Sequence, residues 1–338
     1  MRTRSHRAAI ATILLAAISL CSCGKNEAGK QASSPDRIRI GFIVKQPEEP
    51  WFQIEWKFAD EAAAKLGFEV IKIGATDGEK VLAAIDNLTA VGAKGFVICT
   101  PDVKLGPAIA ARAKKNNLKL MSVDDQFVGP DGKFMDVHHL GISACNIGKS
   151  VGAALFQEFK KRGWKAGETA VCAVTFEELN TAKERTDGAI AALAAAGFPK
   201  SRIFKAPQKT SDVPGAFDAV NVLLTQHPDV RHWLACGMND SAVMGAIRAM
   251  EGRKFDAAGV AGIGINGTDC LVEFEKPKPT GFYASILLSA RQHGYDTAQM
   301  MFKWIKDGTE PPKDTRTTGI LIHRGNYKQV MKEQGLIK

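Results

Sequence analysis

Short apolar runs rich in β-branched residues alternate with longer stretches of helical periodicity along most of the chain. That alternation restricts the fold to parallel sheets with helices on both faces. The first unit, residues 38–67, sets the pattern. Residues 38–44 are apolar and few enough for a buried strand. The loop Lys45-Gln46-Pro47-Glu48-Glu49-Pro50 follows, and its two prolines forbid helix through it. Trp51 and Phe52 then open a helix whose apolar positions recur at Phe52, Trp56, Ala59, Ala63 and Leu66. Lys45, Glu49, Trp51 and Phe52 therefore fall where a parallel strand gives way to a helix, the place where open α/β sheets bind ligands. Two large rings beside two charges can simply staple a helix to its sheet. They can equally present an apolar floor and polar arms to a sugar ring.

The same unit recurs. Strands are predicted at 68–73, 95–99, 118–123 and 140–142, with helices at 79–91, 105–115 and 147–162. A second series predicts strands at 170–175, 202–205, 232–237 and 260–265, with helices at 178–195, 215–225, 241–250 and 268–274. A strand at 280–286, a long amphipathic helix at 290–305, a strand at 317–323 and a closing helix at 327–334 complete the chain. Two series in 338 residues imply two similar doubly wound parallel-sheet lobes. The expected division is 37–143 plus 289–318 for one lobe and 144–288 plus 319–338 for the other. Three chain crossings would then form a hinge.

Charge argues against a nucleic-acid track. The formal charge is +9, and the first 22 residues hold three arginines and no acid, which leaves +6. The remaining lysines are interleaved with acids along helices, as on a solvated surface. The first 22 residues themselves read as a signal peptide: Arg2, Arg4 and Arg7, then an apolar stretch too short to span a bilayer. Leu20-Cys21-Ser22-Cys23-Gly24 resembles a lipoprotein processing site, with Cys23 the expected lipidated residue because a small residue precedes it. Residues 23–36 read as a flexible tether. The expected location is thus the periplasm, anchored through Cys23. Cys99, Cys145, Cys172, Cys236 and Cys270 are odd in number and widely spaced, and three lie in strand-like runs. Buried free thiols fit better than a disulfide framework, and no ligand spacing suggests a metal.

Other polar residues fall at strand ends. Asp124 and Asp125 follow one strand, Met238 and Asn239 another, and Asn266 and Asp269 a third; Arg185 lies in the helix after Thr175. Singly, such residues are most often helix caps or solvated faces. Their joint placement at strand ends in both series points to a shared ligand, for which carboxylates accept and guanidinium donates. Adjacent aspartates also suggest acid–base chemistry, but a glycosidase needs its carboxylates across a scissile bond. Gly262-Ile-Gly264-Ile-Asn-Gly267 spells a dinucleotide-binding turn, yet it comes late in its series and lacks the acidic residue that would hold a ribose. No nucleotide cofactor is expected. His138-His139 reads as surface or packing rather than a ligand.

The segments KQPEEPWFQIEWKFAD, GFEVIKI, GAKGFVICTPD, VDDQFV, PGAFDA, HWLACGMNDS and GIGINGTD together resemble the type I periplasmic sugar-binding family that serves ABC importers. The resemblance runs from about residue 38 to the C-terminus. It implies a non-enzymatic, monomeric protein that closes its lobes on a monosaccharide (L-arabinose, or D-galactose or D-fucose) and delivers it to a membrane permease. A chemoreceptor partner is a second implication. Lys45 and Glu49 would act as a coupled pair on a ring hydroxyl, and Trp51 and Phe52 would wall the ring. Asp125 would accept from the anomeric hydroxyl, with Asp124 near the substituent on the fifth carbon. Arg185 would reach the ring oxygen, and Asn239 and Asn266 the remaining hydroxyls. Met238 would be apolar wall and Asp269 an orienting neighbour. Residues 140–145 are one shorter than the family's methionine-rich stretch, so the wall position falls on Ile142 or Ser143, with Ser143 taken as the contact.

Overall fold

The computed structural model describes residues 37–337. The expected signal peptide, the tether and Cys23 lie outside the described residues. The first series comprises β1 (Arg39–Val44), α1 (Pro50–Leu66), β2 (Glu69–Gly74), α2 (Gly78–Ala90), β3 (Gly95–Ile98), α3 (Gly106–Lys115), β4 (Lys119–Asp124) and β5 (His138–Ile142). The second comprises α4 (Ala144–Lys161), β6 (Thr169–Thr175), α5 (Asn180–Ala195), β7 (Ile203–Pro207), α6 (Val213–Gln226), β8 (His232–Gly237), α7 (Asp240–Gly252), β9 (Val260–Asn266), α8 (Leu271–Phe274) and β10 (Phe282–Leu288). The chain ends with α9 (Thr297–Asp307), β11 (Asp314–Thr317), β12 (Gly319–His323) and α10 (Tyr327–Glu333).

Among the described residues these strands form two six-stranded sheets, ordered β11-β5-β4-β3-β1-β2 and β12-β10-β9-β8-β6-β7. All pairings in the first are parallel; in the second only β12 runs antiparallel, against β10. The period-2 pattern covers both faces of each sheet. In β1, Ile40, Phe42 and Val44 pack under α1 and α9, while Ile43 faces α2 and α3. In β6, Cys172 and Val174 pack with α6 and α7, and Val171 and Ala173 with α4 and α5. Strand order reverses between β1 and β3 and again between β6 and β8, so each lobe offers a crevice at its strands' C-terminal ends.

Local chemistry fixes the first helix. Pro50 occupies its first turn, where a missing N–H costs nothing, and Gly67 ends it at φ 83°, its N–H returning to the Ala63 carbonyl. Its buried stripe is Phe52, Glu55, Phe58, Ala59, Ala62 and Ala63. The sequence pattern had placed Trp56 and Leu66 there; both are only half-buried, and the Trp56 indole donates to the Phe42 carbonyl at 3.1 Å. A carboxylate thus sits inside an apolar stripe.

Two expectations near the C-terminus need correction. The single strand at 317–323 is two strands, one in each sheet, parted at Thr318. Gly319 makes the switch possible: a Cβ there would lie 2.2 Å from Ile286 Cγ2. The long helix at 290–305 is interrupted by a π-helical turn, Gln292–Asp296, before α9. Gly294 in that turn abuts α1, where a Cβ would come 2.1 Å from the Glu55 carbonyl oxygen. The chain passes between the sheets after β5, after β10 and at Thr318. The described cysteines are free, and all but Cys145 are buried.

Candidate functional site

The strand ends of both sheets meet around one cavity of 280 Å³, at the lower end of the range of small-molecule sites. Lys45, Glu49, Trp51, Phe52, Asp124 and Asp125 line it from the first sheet's side; Arg185, Asn239 and Asn266 line it from the second's. A larger hollow of 860 Å³, which takes in Trp304 and Glu310, lies at the opposite ends of the first sheet's strands, away from this group.

Polar side chains arrive in the cavity by different routes. Lys45 follows β1 directly, and its Nζ lies 2.6 Å from Asp125 Oδ2. Its ion partner is therefore Asp125 and not Glu49, which is exposed at the helix entrance. Burial pulls the Lys45 ammonium down, but the neighbouring Cys99, Asp125 and Asp124 together outweigh it and hold the group above its ordinary value. Asp124 closes β4 at φ 62° and Asn266 closes β9 at φ 123°. These are left-handed or unfavourable backbone conformations for residues with a Cβ, one in each lobe, and such strain gathers at ligand sites.

Arg185 is placed by helix packing. Gly148 of α4 lies so near α5 that a Cβ would come 2.0 Å from the Arg185 carbonyl oxygen. The two helices therefore touch backbone to backbone, and the guanidinium extends into the cavity. Its Nη1 donates to the Met238 carbonyl at 2.6 Å, while its buried Nε has no partner among the described residues. Burial brings this group down to about 10, with Asp125 across the cavity working the other way. Asn239 caps α7, accepting the Ala242 N–H at 2.8 Å, which leaves its amide nitrogen as the end available to a ligand.

Three of the twelve expected site residues do not line the cavity, of which Asp269 was expected only to orient its neighbours. Ile142, not Ser143, supplies the wall at the end of β5. The Met238 side chain is packed in the second lobe's core, and only its carbonyl oxygen serves the site. Asp269 is exposed; the carboxylate that orders this corner is Asp240, which accepts from the Gly267 and Cys270 N–H groups at 3.0 and 3.1 Å and from Ser285 Oγ at 2.5 Å. Burial pushes the Asp240 carboxyl up to about 7 against the pull of Ser285. Its ordinary value is 3.8, so the folded chain keeps a proton that the unfolded chain has released. Stability should consequently fall by about 2–4 kcal/mol as pH rises from roughly 4 to 7. Asp240→Asn should flatten that dependence in urea unfolding, and equal slopes in both proteins would contradict it.

Sequence reasoning also missed Gln46, Leu179, Thr181 and Leu288 in the lining. Behind Asp124 it missed Glu55 and His293, both fully buried. His293 Nδ1 lies 2.6 Å from Asp124 Oδ1, and Trp51 Nε1 donates to the same oxygen at 3.3 Å. The Trp51 and His293 rings meet edge to face at 5.3 Å. The tryptophan therefore has its orientation set from two sides before any ligand arrives.

What this constellation can do is surround a small polyhydroxylated molecule. It offers charged donors and acceptors from both lobes beside one aromatic wall. The Asp125 carboxylate is already neutralised by Lys45, and Asp124 is engaged by Trp51 and His293. Both are poised as acceptors.

Residues 37–329 match the family model for periplasmic binding proteins and the sugar binding domain of the LacI family. The chain is 52% identical over 320 residues to the L-arabinose-binding periplasmic protein of Escherichia coli strain K12, covering 94% of this chain and 97% of that protein. It is 50% identical over 325 residues to the ABC transporter L-arabinose-binding periplasmic protein of Azospirillum brasilense, covering 96% of each. A solved periplasmic ribose ABC transporter protein from Conexibacter woesei superposes with a TM-score of 0.72 at 16% identity, over 88% of this chain and 95% of the other. With its two doubly wound lobes and the cavity between their strand ends, the chain belongs to the family of periplasmic binding proteins and LacI-type sugar binding domains.

Proposed function

We propose that this chain captures L-arabinose, and with it D-galactose or D-fucose, by closing its lobes, and delivers the sugar to the permease of an ABC importer. The observation that carries the reading is the convergence of Lys45, Asp125, Arg185, Asn239 and Asn266 from two sheets on one cavity walled by Trp51 and Phe52. A sugar exchanges its hydration for protein bonds, so each hydroxyl needs a partner. Charged and amide side chains supply such partners in the required number. Identity of about one half over nearly the whole chain to L-arabinose-binding proteins supports the choice of sugar. The lobes are 37–143 with 289–318 and 144–288 with 319–338, and the three passages between the sheets are the hinge. The protein works as a periplasmic monomer, exported by its first 22 residues and held to the membrane through Cys23.

Titration calorimetry with L-arabinose, D-galactose, D-fucose, D-xylose and D-ribose tests this. L-arabinose should bind with a dissociation constant on the order of 1 μM or tighter, about −8 kcal/mol. D-ribose, with its hydroxyls differently placed, should bind far more weakly. Flat heats with every sugar would defeat the proposal, and release of product from an arabinoside would replace it with an enzymatic one.

A further inference from the structure

Behind the cavity, the fully buried Glu55 and His293 cluster against Asp124, which lines it. Glu55 of α1 is fully buried, and neither of its carboxylate oxygens has a hydrogen-bond partner among the described residues. Asp124 Oδ2 is likewise buried with no partner there. One side-chain polar atom from each of Glu55, Asp124 and His293 lies within 4.8 Å of the other two, and His293 Nδ1 is 3.7 Å from Glu55 Oε1. Two buried carboxylates side by side, with three orphaned oxygens between them, are costly when both are charged. One proton on Glu55 removes most of that cost: it cancels one charge and bridges Glu55 to Asp124 Oδ2.

We propose that Glu55 is a positioning residue that stays protonated and donates to Asp124, fixing the carboxylate that faces the sugar. Asp124 is then the one anion of the cluster, receiving donors from Glu55, from His293 Nδ1 and from Trp51 Nε1. The groups facing Glu55 agree with this. Burial opposes a charge on it most, Asp124 and Asp125 at the end of β4 oppose it further, and the Trp51 indole pulls the other way without reversing the balance, so its carboxyl is held well above the ordinary range. Burial also works to raise Asp124, but the bond and charge of His293, together with Lys45, hold it below its ordinary value. The neighbouring Cys99 thiol, raised by burial, stays neutral. The protons are shared out unequally within the pair, as its two environments require.

The chain of bonds continues to the hinge. On its other side, His293 Nε2 is hydrogen-bonded to Thr317 Oγ1 at 2.9 Å. The Thr317 carbonyl accepts the Ser143 N–H at 2.8 Å, so the residue is tied to another of the passages between the lobes. Glu55 thereby orients a sugar-facing group whose second neighbour is the hinge. This inference rests on the sugar reading above for its consequence, but not for its first measurement.

Infrared difference spectroscopy of the unliganded protein, wild type minus Glu55→Gln, should show the C=O band of a buried carboxylic acid at neutral pH. Asp240 is common to both and cancels. Absence of the band overturns the inference, whether or not any sugar binds. Calorimetry then reads the consequence. Glu55→Leu, which fills the space without donating, should weaken L-arabinose binding tenfold or more, and Glu55→Gln, which retains a donor, by less than threefold. Wild-type affinity should fall as rising pH removes the shared proton, while that of Glu55→Gln stays level. Equal losses in the two variants, or equal pH profiles, would leave Glu55 a space-filling residue and refute the assignment. Failure of wild type to bind any sugar with the band present would sink the sugar reading alone.

Discussion

Replacing Arg185 with alanine should raise the dissociation constant for L-arabinose by roughly 10²–10³-fold while leaving the unliganded melting temperature unlowered. The two halves of that result have one cause. The half-buried guanidinium is largely committed within the structure: Nη1 is spent on the Met238 carbonyl, and Nε is buried with no partner among the described residues. A donor desolvated in advance costs the free protein stability. On the proposed reading, the sugar's ring oxygen and a hydroxyl would then meet a donor with little hydration left to lose. Truncating one partner of a buried, charge-assisted contact costs about 3–4 kcal/mol of binding. Arg185→Lys should recover little, because a single ammonium cannot replace the planar fork. Calorimetry and thermal melting on the same preparations check both halves. A loss of affinity below about threefold, or a lower melting temperature of the empty protein, would show that Arg185 holds the fold and not the sugar.

What was legible in the sequence follows from what periodicity encodes. An apolar run bounded by polar residues marks where a strand stops, and in parallel α/β sheets the stopping end is also the binding end. Lys45, Asp124, Asp125, Asn239 and Asn266 were therefore found by position alone. Periodicity does not encode which sheet a strand joins. Residues 317–323 look like one strand, and only the pairing of β11 with β5 and of β12 with β10 parts them at Thr318. Nor does it encode depth. Ser143 and Ile142 are adjacent at the end of one strand, and it is the register of β5 against β4 and β11 that turns Ile142 inward. Asp240 was hidden by its neighbour Asn239, a satisfactory cap that explained the local pattern without it. Glu55 did leave a signal, since it falls three residues after Phe52 and three before Phe58, on the buried face. Its partner His293 left none: a π-helical turn carries no distinctive pattern, and the contact spans more than two hundred residues of chain.

The second large effect belongs to Asp125, and it should appear in binding and stability together, unlike that of Arg185. Asp125→Ala removes an acceptor from the sugar and also strips the Lys45 ammonium of a carboxylate 2.6 Å away. Both side chains are 28% exposed, so the pair is partly shielded by solvent and its stability contribution is discounted to about 1–2 kcal/mol. The expected binding loss is larger, about 2–4 kcal/mol, because on the proposed reading a bound sugar would seal the cavity and leave the ammonium no access to water. The sign of the pH dependence is fixed by the raised Lys45 value. That contribution is complete below the unfolded lysine value of 10.5 and is lost only as pH climbs through the higher folded one. The stability gap between wild type and variant should therefore stay level through the neutral range and narrow at strongly alkaline pH. A double-mutant cycle with Lys45→Met separates the pair from its members. Coupling of at least about 1 kcal/mol in urea unfolding is expected, because once the ammonium is gone the carboxylate has lost its counter-charge. Strict additivity would mean that the two groups serve the sugar independently, and the cavity's electrostatics would then have to be rebuilt around Arg185 alone.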